Sequence, residues 1–196
     1  PEQVVADVLS SAFDSAGQRC SALRILLLQE DVADHYYKMI TEAINEFSLG
    51  DPRLLSTDIG PVIDQEAKQN LENHKANMRK VARAYVELEA PTNGHFVAPA
   101  VYLLDNLNQL QREVFGPILH IVRYKKENLV NVLNEVNAKG YALTGGCHSR
   151  IRKQMDLVEK HLHCGNFYIN RNIVGAVVGV QPFGGHGLSG TGPKAG

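Results

Sequence analysis

The 196-residue chain lacks tryptophan, has only three cysteines and carries a net charge of −1 at pH 7. No apolar run is long enough to span a membrane, and no basic leader precedes an apolar stretch and a cleavage site. Lys and Arg do not cluster in any segment, which argues against binding to nucleic acid or to a membrane surface. These absences favour an ordinary soluble globular domain.

The three cysteines are Cys20, Cys147 and Cys164. Their odd number and irregular spacing disfavour a disulfide-stabilised secreted domain, so we expect the reducing cytoplasm as the location. His161, His163 and Cys164 have the residue types of a metal site. Because a structural site usually needs a second cluster of ligands and the sequence has none, no bound metal is expected.

Hydrophobic periodicity predicts strands that alternate with helices. The predicted helices cover 4–12, 31–47, 65–80, 127–138 and 152–162, and the predicted strands cover 24–29, 96–104, 118–124, 142–148 and 166–170. Asp31 is expected to cap the second helix, and Pro99 to restrict part of its strand to an edge or a bulge. This order predicts an α/β fold with an open, mostly parallel twisted sheet and helices on both faces.

Cys20 is the first candidate for chemistry, because Gly17 can turn the chain sharply and expose a thiol just before a buried strand. The alternative is a buried structural thiol, since reactivity needs a base or a lowered pKa that spacing alone does not reveal. Glu113 and Phe115 flank a second turn. The acid could accept hydrogen bonds from ribose hydroxyls and the ring could pack on a nicotinamide, although a purely structural turn has the same pattern.

A glycine-rich tail occupies 175–196, and residues 185–190 match the G-x-G-x-x-G pattern. A dinucleotide-binding loop would follow a strand, open a helix and precede an acid about 20 residues on, and this tail does none of these. Exposed backbone N–H groups suit a small anion, so a carboxylate-binding loop is the functional interpretation. A mobile surface loop is the alternative.

Four segments together resemble the aldehyde dehydrogenase superfamily in order and spacing: GQRCS at 17–21, DIGPVI at 58–63, EVFGP at 113–117 and QPFGG at 181–185. More narrowly, the segments 171–185 and 187–196 resemble Δ1-pyrroline-5-carboxylate dehydrogenases. Among these dehydrogenases, the two segments most resemble the dehydrogenase module of bacterial bifunctional proline utilization A proteins.

This resemblance implies that Cys20 attacks the aldehyde carbon of glutamate γ-semialdehyde to form a thiohemiacetal, with its own backbone N–H near the oxyanion. A hydride then passes to NAD⁺, and water hydrolyses the thioester to glutamate. Glu113 would bind the nicotinamide ribose and Phe115 would lie near the nicotinamide. The substrate carboxylate would be held by a group of anchor residues: Ser21, Phe183, Gly185 and His186. His186 departs from the usual Glu or Ala, which could alter loop packing or pH response.

The resemblance also implies an organisation in which 1–170 form the catalytic domain and 171–196 form the substrate-anchor loop and a truncated C-terminal segment. The family's general base, its asparagine oxyanion donor and most of its NAD-binding domain would precede Pro1. A homo-oligomer is expected. The parent chain would carry a proline dehydrogenase domain elsewhere, and FAD is expected only in that domain.

Two other classes of protein stay open. A thiol-dependent acyl transferase or protease would need a histidine within hydrogen-bond reach of Cys20. A non-catalytic assembly module would self-associate without turnover, which light scattering and iodoacetamide labelling of the three cysteines would reveal.

The isolated 196-residue chain is expected to form no NADH from pyrroline-5-carboxylate, because the general base and most of the cofactor site would lie outside it. Absorbance at the NADH band checks this expectation, and measurable turnover by the isolated chain would overturn it.

Overall fold

The computed structural model describes residues 1–192 and Lys194. Five α-helices occur in this part of the chain: α1 Glu2–Phe13, α2 Glu30–Ile44, α3 Gln65–Val81, α4 Leu129–Asn137 and α5 Arg152–His161. The strands are β1 Ile25–Gln29, β2 Ala84–Glu87, β3 Ala100–Leu104, β4 Ile118–Tyr124, β5 Tyr141–Ala142, β6 Thr144–Cys147, β7 Asn166–Ile169 and β8 His186–Gly187. None of the described helices is long and apolar enough to cross a bilayer.

The main sheet has four strands in the order β1-β4-β3-β2, with β1 and β2 at its edges. Strand β4 runs parallel to both β1 and β3, whereas β2 is antiparallel to β3. All of β3 and the first five residues of β4 are buried, which requires cover on both faces of the sheet. The predicted mostly parallel α/β sheet is therefore confirmed.

Helices α1 and α2 pack on each other and on β4, while α3 packs on β3. Two smaller sheets follow along the chain, an antiparallel pair of β5 with β8 and a parallel pair of β6 with β7. A second apolar cluster of Leu129, Leu133 and Val158 joins α4 to α5 and contacts Leu27 of β1. Cys147 of β6 and Phe167 of β7 pack against the same cluster.

Several predicted boundaries were wrong, each for a local reason. The strand predicted at 96–104 begins only at Ala100, because Pro99 before it has no backbone N–H to donate to a neighbouring strand. The strand predicted at 142–148 divides into β5 and β6. Asp31 does not cap α2: the helix begins at Glu30, and the carboxylate of Asp31 accepts from the side chain of Gln29. Strand β2 was not predicted.

A left-handed turn follows α1. Ser15, Ala16 and Gly17 have φ values of 57°, 53° and 63°, a conformation that costs energy for the two non-glycine residues. At Gly17 an added Cβ would lie 2.1 Å from the carbonyl oxygen of Gly116. The turn thus needs glycine for its φ and for its close approach to the loop before β4.

His120 of β4 and His74 of α3 form a hydrogen-bonded pair. Nδ1 of His120 lies 3.0 Å from the carbonyl oxygen of Arg24, and its Nε2 lies 2.9 Å from Nε2 of His74. Because a carbonyl only accepts, His120 donates from Nδ1 and accepts at Nε2, so His74 donates from Nε2. Burial lowers the pKa of His120 to about 3 and that of His74 to about 4, which keeps both rings neutral.

Substitution Gly17→Ala is expected to destabilise the chain by at least about 2 kcal/mol, since it adds a backbone clash to the φ penalty. Gly179→Ala is the matched control, because Gly179 also has a positive φ (76°) but has open space around its Cβ position. Chemical denaturation of both variants checks the difference. Equal losses would show that the contact with Gly116 contributes nothing.

The histidine pair predicts that stability falls as the pH drops. The unfolded histidines titrate at ~6.5, above the folded pKa of about 4 for His74, so the unfolded state binds more protons across that window. The free energy of unfolding should therefore decrease between about pH 6.5 and pH 4. His74→Gln keeps a donor but does not titrate, so its decrease should be smaller than that of the wild type.

His35→Gln, at an exposed histidine on α2, is the control variant for the substitution itself. Circular dichroism during denaturation at each pH gives the free energies. An unaltered slope in His74→Gln would contradict the assignment.

Candidate active site

Cys20 lies in the tight turn between the left-handed segment and β1, and its side chain is exposed. The turn is closed by a hydrogen bond from Ala22 N–H to the carbonyl of Arg19, at 3.1 Å. Within residues 1–192 and Lys194, the backbone N–H of Cys20 donates to no acceptor. The loop therefore presents a thiol and a free N–H donor side by side, as nucleophilic attack on a carbonyl requires.

The other two thiols differ from Cys20 in environment. Burial raises the pKa of Cys147, and burial likewise raises the pKa of Cys164 to about 11. A buried thiol with a raised pKa is a poor nucleophile near neutral pH. Cys20 is thus the most accessible thiol of the three.

Arg24 is the residue that holds the loop in place. Its Nη1 donates to the carbonyl of Gly17 at 2.6 Å and its Nη2 to the carbonyl of Arg19 at 3.0 Å. Nη1 also reaches the carbonyl of Gly116 at 3.3 Å, and Nε donates to Glu113 Oε1 at 3.2 Å. From the sequence, Arg24 is predicted only as the start of a strand, and this role is missed. The available signal was an arginine at the start of an apolar strand directly after the thiol loop.

Glu113 was predicted as a cofactor-binding acid, and the structure brings it to the same guanidinium that holds the thiol loop. Its side chain is 26% exposed, and Oε2 accepts no hydrogen bond from the described residues. That oxygen is free for the hydroxyls of a ligand. The Glu113 N–H lies 3.4 Å from the hydroxyl oxygen of Tyr141.

Phe115 lies beside Arg24, whose guanidinium carbon is 4.6 Å from the ring centroid. The ring is about half exposed and, with Glu113, lines a cavity of about 370 Å³. Asn70 and His74 of α3 contribute to the same wall, as does Arg112. An aromatic face and a free carboxylate oxygen therefore border one cavity, the combination that a nicotinamide riboside needs.

A larger cleft of about 960 Å³ opens on the other side of Glu113. Cys20, Arg24, Tyr141 and Ser189 line it together with Glu113, and it continues between β1 and β6. Glu113 borders both spaces, so the thiol and the smaller cavity meet at this carboxylate.

The predicted anchor residues are more dispersed. Ser21 is buried next to Cys20, and its carbonyl accepts from Thr144 Oγ1 of β6 at 3.2 Å. Gly185 is buried and His186 exposed, and His186 pairs with Ala142 in β5. The glycine-rich segment thus reaches the thiol loop through β5 and β6. Neither Phe183, Gly185 nor His186 lines the cleft itself, whereas Ser189 does.

Two other interpretations of the sequence, a cysteine protease or acyl transferase and a metal site, can be compared with the structure. Within the described residues no histidine makes a hydrogen bond to Cys20, so the pairing that a cysteine protease uses is missing there. No group of three or more potential metal-ligating side chains occurs in the same part of the chain, and the Cys164 thiol packs near Gly145.

Comparison with known proteins gives a consistent result. The profile of the aldehyde dehydrogenase family matches residues 1–196. The chain is 55% identical to the bifunctional protein PutA of Escherichia coli over 100% of its own length and 15% of that protein. It is 35% identical to a 1-pyrroline-5-carboxylate dehydrogenase of Geobacillus sp., covering 100% of this chain and 38% of the relative.

Solved structures show the same likeness. A variant of Bradyrhizobium japonicum proline utilization A superposes with a TM-score of 0.96 at 55% identity, covering 100% of this chain and 20% of that one. A variant of Thermus thermophilus 1-pyrroline-5-carboxylate dehydrogenase gives 0.88 at 32% identity, covering 97% and 37%. Since the family profile spans the whole sequence and the predicted motifs lie together in the fold, the chain belongs to the aldehyde dehydrogenase family.

Proposed function

We propose that the chain supplies the nucleophile for NAD-dependent oxidation of L-glutamate γ-semialdehyde, formed from Δ1-pyrroline-5-carboxylate, to L-glutamate in proline catabolism. The observation that carries the proposal is the exposed Cys20 thiol with an unengaged backbone N–H, in a loop joined through Arg24 to Glu113. The proteins named above as PutA and 1-pyrroline-5-carboxylate dehydrogenases support this substrate.

In the first step the Cys20 sulfur bonds to the aldehyde carbon, and the carbonyl oxygen becomes an oxyanion that accepts from the Cys20 N–H. The thiol proton leaves to a base outside the described residues, since none of their histidines or carboxylates contacts the thiol by a hydrogen bond. After oxidation the Cys20 thioester is hydrolysed: water bonds to the acyl carbon, the carbon–sulfur bond breaks and the thiol is restored.

NAD⁺, when bound, would accept the hydride that leaves the aldehyde carbon. The residues at the smaller cavity fit such a cofactor: Glu113 Oε2 is a free acceptor for ribose hydroxyls, and the exposed face of Phe115 suits the nicotinamide. The carboxylate acceptor and the aromatic ring line the same cavity, so together they would hold the nicotinamide riboside end of the cofactor.

The substrate's α-carboxylate would be held by the Ser21 hydroxyl and by backbone donors of Gly185 and His186, with Phe183 nearby. Gly185 N–H makes no hydrogen bond to any described residue, which supports its use as an anion donor. We propose the same division of the chain as before, with the catalytic domain at 1–170 and the anchor segment from 171 onward.

The further domain, the oligomeric state and the cellular location are proposed from the same relatives. The chain spans about 15% of the PutA proteins it matches, so their proline dehydrogenase domain, with FAD, would belong to other parts of a parent chain. A homo-oligomer in the cytoplasm is the proposed setting.

Substitution Cys20→Ser in the longer protein that carries this chain should reduce NADH formation from pyrroline-5-carboxylate by at least about 10³-fold, because the hydroxyl is a far weaker nucleophile. Cys147→Ser is the matched control and should stay near wild type. Stopped-flow or steady-state absorbance gives the rates. Retained activity in Cys20→Ser would place the nucleophile elsewhere, and activity on other aldehydes alone would replace the proposed substrate.

A further inference from the structure

Arg24 makes four hydrogen bonds at the candidate site, and all three nitrogens of its guanidinium take part. Its guanidinium donates to the carbonyls of Gly17 and Arg19, which flank the thiol, and to Glu113 and the carbonyl of Gly116. These partners come from two segments about 90 positions apart in the chain. One planar group with five donors can bind both at once, which a lysine ammonium cannot do with the same geometry.

The backbone of Arg24 is fixed as firmly as its side chain. Its carbonyl accepts from the backbone N–H of His120 and from His120 Nδ1, both at 3.0 Å. His120 is in turn fixed by His74 through the Nε2–Nε2 hydrogen bond. The buried core of the sheet therefore fixes the backbone of Arg24 at the edge of the site. The guanidinium in turn fixes the two loops through its hydrogen bonds.

The Arg24 guanidinium is largely shielded from water and is paired with a carboxylate. The side chain is only 12% exposed, and burial lowers the pKa of Arg24, while the charge of Glu113 opposes this effect. An ion pair that is shielded from water is stronger than one at the surface when its remaining hydrogen bonds are satisfied. Three backbone carbonyls supply those bonds here.

We propose that Arg24 is a positioning residue for the aldehyde oxidation. It fixes the position of the Glu113 carboxylate relative to the Cys20 loop. This inference rests on the proposed function. Arg24 touches neither reacting atom, and it acts by orienting Glu113 Oε2 toward the ribose and by holding the carbonyls that shape the thiol turn. Removing it should weaken cofactor binding more than it weakens the chemical step.

The test uses the longer protein that carries this chain, with Arg24→Ala, Arg24→Lys, Glu113→Gln and the double variant Arg24→Ala/Glu113→Gln. We expect Arg24→Ala to raise KM for NAD⁺ about tenfold or more, the effect of losing one charge-assisted hydrogen bond to Glu113, with a smaller change in kcat. Arg24→Lys should recover part of the loss. The double variant should be little worse than Glu113→Gln alone, because both substitutions break the same link.

Arg123→Ala is the matched control, since Arg123 is a half-buried arginine on β4 whose ion pair with Asp34 lies away from the site. Millimolar guanidinium chloride, compared with sodium chloride at equal ionic strength, should restore part of the activity of Arg24→Ala and none of that of Arg123→Ala. Full additivity of the two single variants, or equal effects of Arg24→Ala and Arg123→Ala on KM, would overturn the proposal.

A separate measurement distinguishes this failure from failure of the proposed function. If the wild type forms no NADH from pyrroline-5-carboxylate, the substrate proposal fails, and Arg24 is judged by the rate at which iodoacetamide alkylates Cys20. In that case Arg24→Ala should change the rate at least about threefold relative to Arg123→Ala, because the turn around the thiol loses two of its hydrogen bonds. An unchanged rate would show that Arg24 does not position the loop.

Discussion

The buried guanidinium of Arg24 connects the loop before β1 to the loop before β4, and the geometry of the site depends on this connection. Both loops are irregular, and irregular backbone needs partners for its carbonyl oxygens when it approaches the interior. Arg24 supplies donors to three of these carbonyls. Gly17 allows the two backbones to approach closely enough for one side chain to reach both, because an added Cβ there would lie 2.1 Å from the carbonyl oxygen of Gly116.

The sheet beneath the loops provides the rigidity. Tyr102 and His120 are register partners on β3 and β4, and their rings stack with centroids 6.2 Å apart. The Tyr102 hydroxyl donates to Glu87, which also accepts from Arg79 and lies 3.5 Å from the ammonium of buried Lys75. A polar network with every charge paired gives a core a single arrangement at the cost of desolvation. The candidate site lies at one end of this network, through His120 and the Arg24 carbonyl.

Much of the fold could be predicted from local patterns. The strand at 118–124 and the polar helix at 65–80 were both predicted from the local sequence, and the structure confirms both within a residue. Strand β2 could not be found that way, because the four residues AYVE are too short for a pattern and become a strand only by pairing with β3. The break after Ala142 likewise depends on tertiary contacts, including the partner strand β8.

For the site, sequence motifs identified Cys20, Glu113 and Phe115, and the structure brings these three around one guanidinium. The geometry that joins them could not be predicted, because Arg24 and His120 act through contacts of long sequence separation that no local pattern records. The anchor group of Ser21, Phe183, Gly185 and His186 stays a prediction. The first lies beside the thiol, and the others approach it only through β5 and β6.

Strand β1 has an additional consequence, which follows from its position at the edge of the main sheet. Its sequence is ILLLQ, and among the described strands only β4 pairs with it. A short apolar edge with unpaired N–H and C=O groups is a template for pairing with any other extended chain, and no charged residue within it discourages this. At high concentration the isolated chain is therefore expected to associate edge to edge through β1.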